Sequence, residues 1–164
     1  MKRLATITAA VLLCCSAWAQ KSLDDVIALL QSGDRVSCSY SYTLRGNVPV
    51  KGSGTATICG ACYHISENGL DTWCDGGTVW TVDSEAREVV VSEGGNSILA
   101  NPGAYRSIVK DLRFDGRSLS CTIESQGSEM DFRAGGITAA PDTGESFAFD
   151  TSGLDKSWII TDLR

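Results

Sequence analysis

The chain has 164 residues, of which 43% are hydrophobic and 21% are charged, and its mean hydropathy is −0.01. These values are typical of a globular protein and exclude collagen-like and disordered chains. The net charge of −6 and the isoelectric point near 4.7 argue against a nucleic-acid binder, which needs a basic face to neutralise phosphates.

The first nineteen residues have the pattern of an export signal. Lys2 and Arg3 form a positive start, and residues 4–13 are apolar apart from two threonines. Residues 17–19 read AWA, which is the small-x-small pattern that signal peptidase cleaves. We therefore expect export to the periplasm with cleavage after Ala19.

This interpretation makes residues 20–164 a single domain with 12 basic and 20 acidic residues, a net charge of −8. Two alternatives stay open. One is a buried N-terminal helix. The other is lipidation of Cys14 or Cys15, although Leu13 is not the small residue that lipidation requires before Cys14.

The first predicted element after the signal is an amphipathic helix of about three turns. Ser22 is a good N-cap, acidic residues follow it, and apolar residues recur at helical spacing up to Gly33. From Val36 the hydrophobic period changes to two and predicts a strand over residues 36–44.

Further short strands follow, separated by turn residues. They are predicted at residues 52–65, 70–74, 78–82, 88–91, 112–114, 118–124, 128–133, 137–140, 147–149 and 158–163. Glu67-Asn68-Gly69 is predicted as a three-residue hairpin loop, and Pro102 as the first residue of a short helix. Short strands at this spacing predict a long, strongly curled antiparallel sheet with two short helical pieces over its open side. Its concave side is either a cavity for an apolar ligand or is filled by large side chains.

Export would leave five cysteines in an oxidising compartment, where disulfides are common. With residues 67–69 as the loop, Cys62 lies opposite Cys74, so this is the first predicted disulfide. Cys38–Cys59 is the second, and Cys121 is left over.

Two other roles for these thiols stay open. The spacing from Cys59 to Cys62 is that of redox motifs, but no helix follows to lower a thiol pKa. A zinc site would need Cys59, Cys62, Cys74 and either His64 or Cys38, and it lacks a second close pair of ligands. We predict no metal, no cofactor and no catalytic residue.

Several stretches, in order, resemble the LolA family of outer-membrane lipoprotein carriers. They are the helix leading into strand 36–44, Gly52-Ser53-Gly54, WCDGGTVW at residues 73–80 followed by EVVV at 88–91, Asn101-Pro102, and IITDLR at 159–164. The resemblance covers residues 22–164. It implies an α+β fold that is mainly antiparallel β: an unclosed, strongly curled β-barrel, or half-barrel, covered by short α-helices as a lid.

The resemblance also implies a function without catalysis. A hydrophobic cavity would shelter the acyl chains of lipoproteins between the inner and outer membranes. The implied partners are an inner-membrane lipoprotein-release transporter and an outer-membrane acceptor, and we expect a monomer. One feature departs from the family. In the best-known carriers, an arginine followed by proline ends the strand that begins with the G-x-G motif and holds the lid by hydrogen bonds. The matching positions here are Gly60-Ala61.

Alternation and motif position select the candidate cavity and lid residues. They are Tyr40, Tyr42, Leu44, Ile58, Trp73, Trp80, Ile98, Leu99, Tyr105 and Ile108. Two other functions remain: a periplasmic lipid-binding or signalling module of the same fold that binds a regulatory partner, and a thiol-redox protein using Cys59 and Cys62.

Overall fold

The structure is a computed structural model that describes residues 22–94, 102–125 and 127–164. Helix α1, Leu23–Leu30, begins at a capping box: the Ser22 hydroxyl accepts a hydrogen bond from the Asp25 amide, and the Asp25 carboxylate accepts one from the Ser22 amide. This confirms Ser22 as the N-cap. The helix has eight residues, about two turns rather than about three.

Ten strands within the described ranges form one sheet. They are β1 Arg35–Leu44, β2 Val50–Cys59, β3 Cys62–Glu67, β4 Leu70–Cys74, β5 Thr78–Asp83, β6 Glu88–Glu93, β7 Val109–Phe114, β8 Leu119–Ser125, β9 Ser128–Ala140 and β10 Ile159–Asp162. Their order across the sheet is β10-β6-β5-β4-β3-β2-β1-β9-β8-β7.

The sheet is mostly antiparallel and is not closed into a barrel. Strands β1 to β6 follow one another as neighbours, and β9 pairs with the other side of β1. β10 pairs with β6 in parallel, so β10 and β7 form the two free edges. Sheets of this many strands twist and curl strongly. The expected unclosed antiparallel sheet is confirmed.

The expected lid of short α-helices is wrong for the part of the chain that the structure describes. That part contains one α-helix, α1, and two 3₁₀ helices, Pro102–Ser107 and Thr151–Gly153. α1 contacts the first 3₁₀ helix and β7, and Asp24 of α1 forms an ion pair with Arg106. None of the described helices is both long and apolar enough to cross a membrane.

Four of the predicted strands differ in the structure. The strand predicted over residues 52–65 is a hairpin, because Gly60, with a φ of +58°, allows the chain to reverse between β2 and β3. The strands predicted at 128–133 and 137–140 are one long strand, β9, whose register with β1 shifts between Ser37 and Ser39. Residues 147–149 do not form a strand.

Residues 141–158 form an irregular segment, the C-terminal segment, that packs on the sheet. Val82, Val89 and Val91 are buried on β5 and β6. Partly buried side chains packed against them are Trp73, Trp80, Phe149, Leu154 and Trp158. At the other end of the segment, Phe147 is buried and the Arg35 guanidinium lies 4.5 Å from its ring centre. Apolar contacts therefore hold this segment against the sheet.

Candidate functional site

Strand pairing places four of the predicted cavity residues on one face of the sheet. Tyr40, Tyr42 and Leu44 alternate along β1, and Ile58 on β2 lies opposite Val36 of the same alternation. We call this the tyrosine face, and we define it by Tyr40 and Tyr42. The sequence pattern predicted this shared face correctly.

The tyrosine face continues across the neighbouring strands. On β9, Phe132 lies opposite Tyr42, and its ring stacks with that of Tyr40 at a centroid distance of 5.9 Å. The other apolar side chains that the register puts on this face include Val36, Ala56, Ile65, Leu119, Ile123, Met130 and Ala134. Val36, Ala56 and Ala134 are buried, while the larger members are half-buried. The face is therefore a broad apolar surface with partly accessible side chains.

Two tyrosine hydroxyls on this face share one carboxylate. Tyr40 donates to one oxygen of Glu67 at 2.5 Å, and Tyr42 donates to the other at 2.7 Å. Burial, followed by the hydrogen bond to Glu67, strongly raises the pKa of Tyr40. The hydrogen bond to Glu67 is the main cause of the raised pKa of Tyr42. Both phenols therefore stay protonated, and their polar ends are satisfied within the protein.

Two glycines on β2 make room for the tyrosine rings. Gly52 lies opposite Tyr42, and a side chain added to it would overlap the Tyr42 ring. Gly54 lies opposite Tyr40, and a side chain there would overlap the carbonyl oxygen of Ser66. The rings thus pass over a strip of β2 that has no side chains and reach Glu67 on β3.

The register does not bring Trp73 and Trp80 together with the other predicted cavity residues, Tyr40 and Tyr42. Trp73 lies opposite both His64 and Trp80, on the face away from Tyr40, which we call the tryptophan face. The His64 and Trp73 rings stack at 3.7 Å, and Trp73 also lies 6.4 Å from the Phe149 ring. Both tryptophans pack in the core beneath the C-terminal segment.

An exposed apolar rim marks one end of the tyrosine face. Leu44 and Val50 are opposite each other at the β1–β2 turn and are 38% and 55% exposed. Leu70, at the start of β4, is 42% exposed on the same face. Val48, in the turn between Leu44 and Val50, is 80% exposed. These four residues form the apolar rim, which sequence analysis identified only at Leu44.

The predicted lid residues are only partly described. Tyr105 lies in the first 3₁₀ helix and is half-buried, and burial raises its pKa. Ile108 follows this helix, is half-buried, and accepts a hydrogen bond from the Glu124 amide at 2.8 Å. Ile98 and Leu99 lie outside the described residues.

The cysteine register differs from the prediction. The loop between β3 and β4 is two residues long, so Tyr63 rather than Cys62 lies opposite Cys74. Cys38 lies opposite Ala56 rather than Cys59. Neither predicted pair is directly opposed in the strand register, and all five cysteines that the structure describes, Cys121 included, have free thiols. The structure instead puts Cys59 opposite Cys62.

Among the described residues, no group of three histidine, cysteine or acidic side chains is arranged to hold a metal ion. His64 contacts Asp71 at 3.0 Å and stacks on Trp73, so its surroundings are those of a packing residue.

A polar depression of about 300 Å³ lies beside β8 and β9. It is lined by Arg45, Asp111, Ser120, Cys121, Thr122, Asp131, Phe132 and Arg133. Arg45 already binds Asp131 through two hydrogen bonds of 2.9 and 2.6 Å, and this pairing lowers the pKa of Asp131. The depression therefore differs from the apolar cavity that the sequence predicts.

No protein-family model and no curated protein matches this chain.

Proposed function

We propose that the protein is a periplasmic carrier that binds the acyl chains of lipoproteins on its tyrosine face and moves them from the inner to the outer membrane. The observation that carries this proposal is that large apolar side chains of this face stay half-buried or exposed. Tyr40, Ile65 and Phe132 are half-buried on neighbouring strands, and Leu44 is exposed beside them. Large apolar side chains that stay accessible on one face favour a binding role.

The energetics of such a surface suit reversible binding. Each buried methylene contributes about 0.8 kcal/mol, so a chain of about 16 carbons offers on the order of 12 kcal/mol before ordering costs are subtracted. Acyl chains make no directional bonds that must break on release. A second apolar environment, such as an acceptor protein or a bilayer, can therefore withdraw the chain.

The hydrogen bonds of the tyrosines support an apolar ligand. Because Glu67 already accepts from Tyr40 and Tyr42, an acyl chain can cover both rings without leaving a phenol hydroxyl unpaired. The rings then present their apolar faces to the ligand. The apolar rim would be the natural entrance, since it extends the same surface to one end of the sheet.

A second candidate is a lipid-binding or signalling module of the same fold that binds a regulatory protein. The exposure of Val48 and Val50 on the rim favours this alternative, because apolar patches at a sheet end also serve as protein interfaces. The third function predicted above, thiol-redox catalysis, has less support. Burial and the neighbouring Cys74, Cys59 and acidic groups raise the pKa of Cys62, whereas redox catalysts need a lowered thiol pKa.

The first test compares adjacent residues on opposite faces of β3. Ile65→Gln puts a polar amide on the tyrosine face, and Ser66→Gln puts the same group on the tryptophan face. We expect Ile65→Gln to weaken binding of a fluorescent long-chain fatty acid roughly fivefold, equivalent to a loss of about 1 kcal/mol. Ser66→Gln should bind like the wild type. Equal loss in both variants would contradict a site on the tyrosine face.

The second test examines the cargo. Native mass spectrometry of the gently purified protein should show bound lipid or lipopeptide, and the protein should keep a triacylated lipopeptide in solution. Depletion of the protein from the native cell should cause lipoproteins to accumulate in the inner membrane. A protein that is always empty and does not solubilise the lipopeptide would contradict the carrier proposal. Recovery of a single inner-membrane regulator instead would favour the signalling alternative.

A further inference from the structure

Cys59 and Cys62 face each other across a two-residue turn of the sheet. Cys59 ends β2, Cys62 begins β3, and only Gly60 and Ala61 lie between them. Directly opposed residues of antiparallel strands have Cα atoms about 4.5–5.5 Å apart. Disulfides form over Cα separations of about 4.4–6.8 Å, so this position in the sheet suits a disulfide.

The two side chains also project to the same side of the sheet. Cys59 alternates with Ile58 of the tyrosine face, and Cys62 alternates with Tyr63 of that face. Both cysteines therefore lie on the tryptophan face. Each is half-buried, so a disulfide reagent or partner can reach the pair from solvent.

The other three cysteines lack this geometry. Cys74 lies near enough to Cys62 to raise the pKa of that thiol, but it is fully buried and lies on the tyrosine face, opposite Tyr63. Cys38 and Cys121 are on strands separated by β9, and burial raises the pKa of both thiols. Among the cysteines that the structure describes, Cys59 and Cys62 form the only pair that is directly opposed on one face.

We propose that Cys59 and Cys62 are a redox-modification site that closes a disulfide across the β2–β3 turn. The oxidant is a disulfide, either of a small thiol or of a thiol–disulfide exchange protein. One cysteine thiolate attacks the oxidant and forms a mixed disulfide, releasing one thiol. The second cysteine then displaces the other half of the oxidant. The two cysteines lose two hydrogens and one S–S bond forms, while the oxidant becomes two thiols.

Oxidation would change how the β2–β3 turn is held against the loop between α1 and β1. In the reduced protein the Cys59 thiol donates a hydrogen bond to the Gly33 carbonyl, which lies just after the helix, at 3.4 Å. A disulfide has no S–H, so this bond is lost. The crosslink replaces it by fixing the two strand ends to each other. Oxidation therefore replaces the hydrogen bond between Cys59 and Gly33 by a covalent bond within the β2–β3 hairpin.

The test maps the thiols of the wild-type protein after equilibration with reduced and oxidised glutathione and trapping by iodoacetamide. Digestion with chymotrypsin after Tyr63 separates Cys62 from Cys74. Under oxidising conditions we expect Cys59 and Cys62 in one fragment, without alkyl groups and lighter by two hydrogens. Cys38, Cys74 and Cys121 should be alkylated after unfolding. Alkylated Cys59 and Cys62 in the oxidised sample, or a crosslink from either to Cys74, would overturn the proposal.

A double variant gives an independent readout. Reduction of the oxidised wild type should lower its melting temperature by roughly 5 °C, because the crosslink restricts the unfolded chain. Cys59→Ser/Cys62→Ser should melt at the same temperature in both buffers, while Cys121→Ala should keep the wild-type response. A wild type whose melting temperature is the same in both buffers would overturn the proposal. Neither measurement depends on the carrier function.

Discussion

At the scale of single residues, the positions of Tyr40 and Tyr42 depend on the absence of side chains at Gly52 and Gly54. Each tyrosine ring crosses a glycine on the adjacent strand, and both hydroxyls reach Glu67 one strand further on. The spacing of the two glycines therefore matches the spacing of the two tyrosines. Resemblance to a known family identified these glycines from sequence, but the reason for them is visible only once the strand register is known.

The substitution Gly54→Ala tests this interpretation. The added methyl group would overlap the backbone carbonyl of Ser66, which cannot move without disturbing the sheet. We expect the free energy of unfolding to fall by about 2 kcal/mol, measured by urea denaturation. The control is Gly135→Ala on β9, where nothing lies within 4 Å of the added atom, and where the change should be below about 0.5 kcal/mol. Similar losses in both variants would show that the close approach at Gly54 is unimportant.

One loop residue explains the wrong cysteine pairing. Asn68 and Gly69 both have positive φ values, +51° and +85°, as a two-residue type I′ turn requires. A three-residue loop that includes Glu67 shifts the pairing by one residue, whereas in the structure Glu67 pairs with Leu70. Since a shift of one residue moves every side chain to the other face, Cys62 was wrongly placed opposite Cys74. The Asn-Gly pair was the signal that favours the shorter loop.

At the scale of elements, strand existence was more predictable from sequence than strand ends. β1, β4 and β5 were predicted within a residue or two because their alternation is clear and turn residues flank them. The turn at Gly60 was missed because a single glycine within a strand pattern equally fits a bulge. Phe147 and Phe149 alternate as in a strand, but their contacts with Arg35 and Trp73 hold an irregular segment instead.

The C-terminal segment gives a prediction at this scale. Phe147 is 7% exposed and packs against Arg35, whose guanidinium also binds Asp142 at 2.8 Å. Phe147→Ala should lower the free energy of unfolding by about 3 kcal/mol and speed tryptic cleavage at Lys156. Leu163→Ala is the control, since Leu163 is 66% exposed, and both measurements should stay unchanged. Unchanged cleavage in Phe147→Ala would mean that other contacts hold the segment.

At the scale of the whole molecule, the sheet has apolar surface on both faces. On β5 and β6 the tryptophan face is buried by the C-terminal segment. On β1, β8 and β9 the tyrosine face carries the half-buried side chains of the candidate site. Alternation alone predicted the membership of each face within a strand. It could not assign Trp73 and Trp80, because that depends on pairing carried across several strands.

Surface carboxylates make the stability of the whole protein sensitive to acid. Backbone and side-chain hydrogen bonds lower the pKa of Asp115 to about 2, and Arg164 lowers that of Asp162 to about 2, from an ordinary value near 3.8. Asp131, Asp142, Asp150 and Asp155 also have lowered pKa values. Because the unfolded chain binds protons more readily than these folded carboxylates, acid favours unfolding.

We therefore expect the urea concentration at the unfolding midpoint to decrease as the pH is lowered from about 4 to about 2. Above about pH 5 the contribution of these carboxylates to the free energy of unfolding should be constant. Tryptophan fluorescence can follow the transition. Asp115→Asn should reduce the dependence of the urea midpoint on pH within that window. The variant for comparison is Asp24→Asn, at a carboxylate that pairs with the exposed Arg106. A midpoint that rises on acidification would contradict this assignment.

The sheet has separate apolar zones on its two faces, and this separation affects which positions can change during evolution. The valines that anchor the C-terminal segment and the tyrosines of the candidate site occupy different sides of one sheet. Substitutions at the accessible side chains of the tyrosine face can therefore alter the candidate site without changing the contacts that anchor the C-terminal segment. We expect descendants of this chain to vary more at the exposed Leu44 and Val50 than at Val89, which is fully buried.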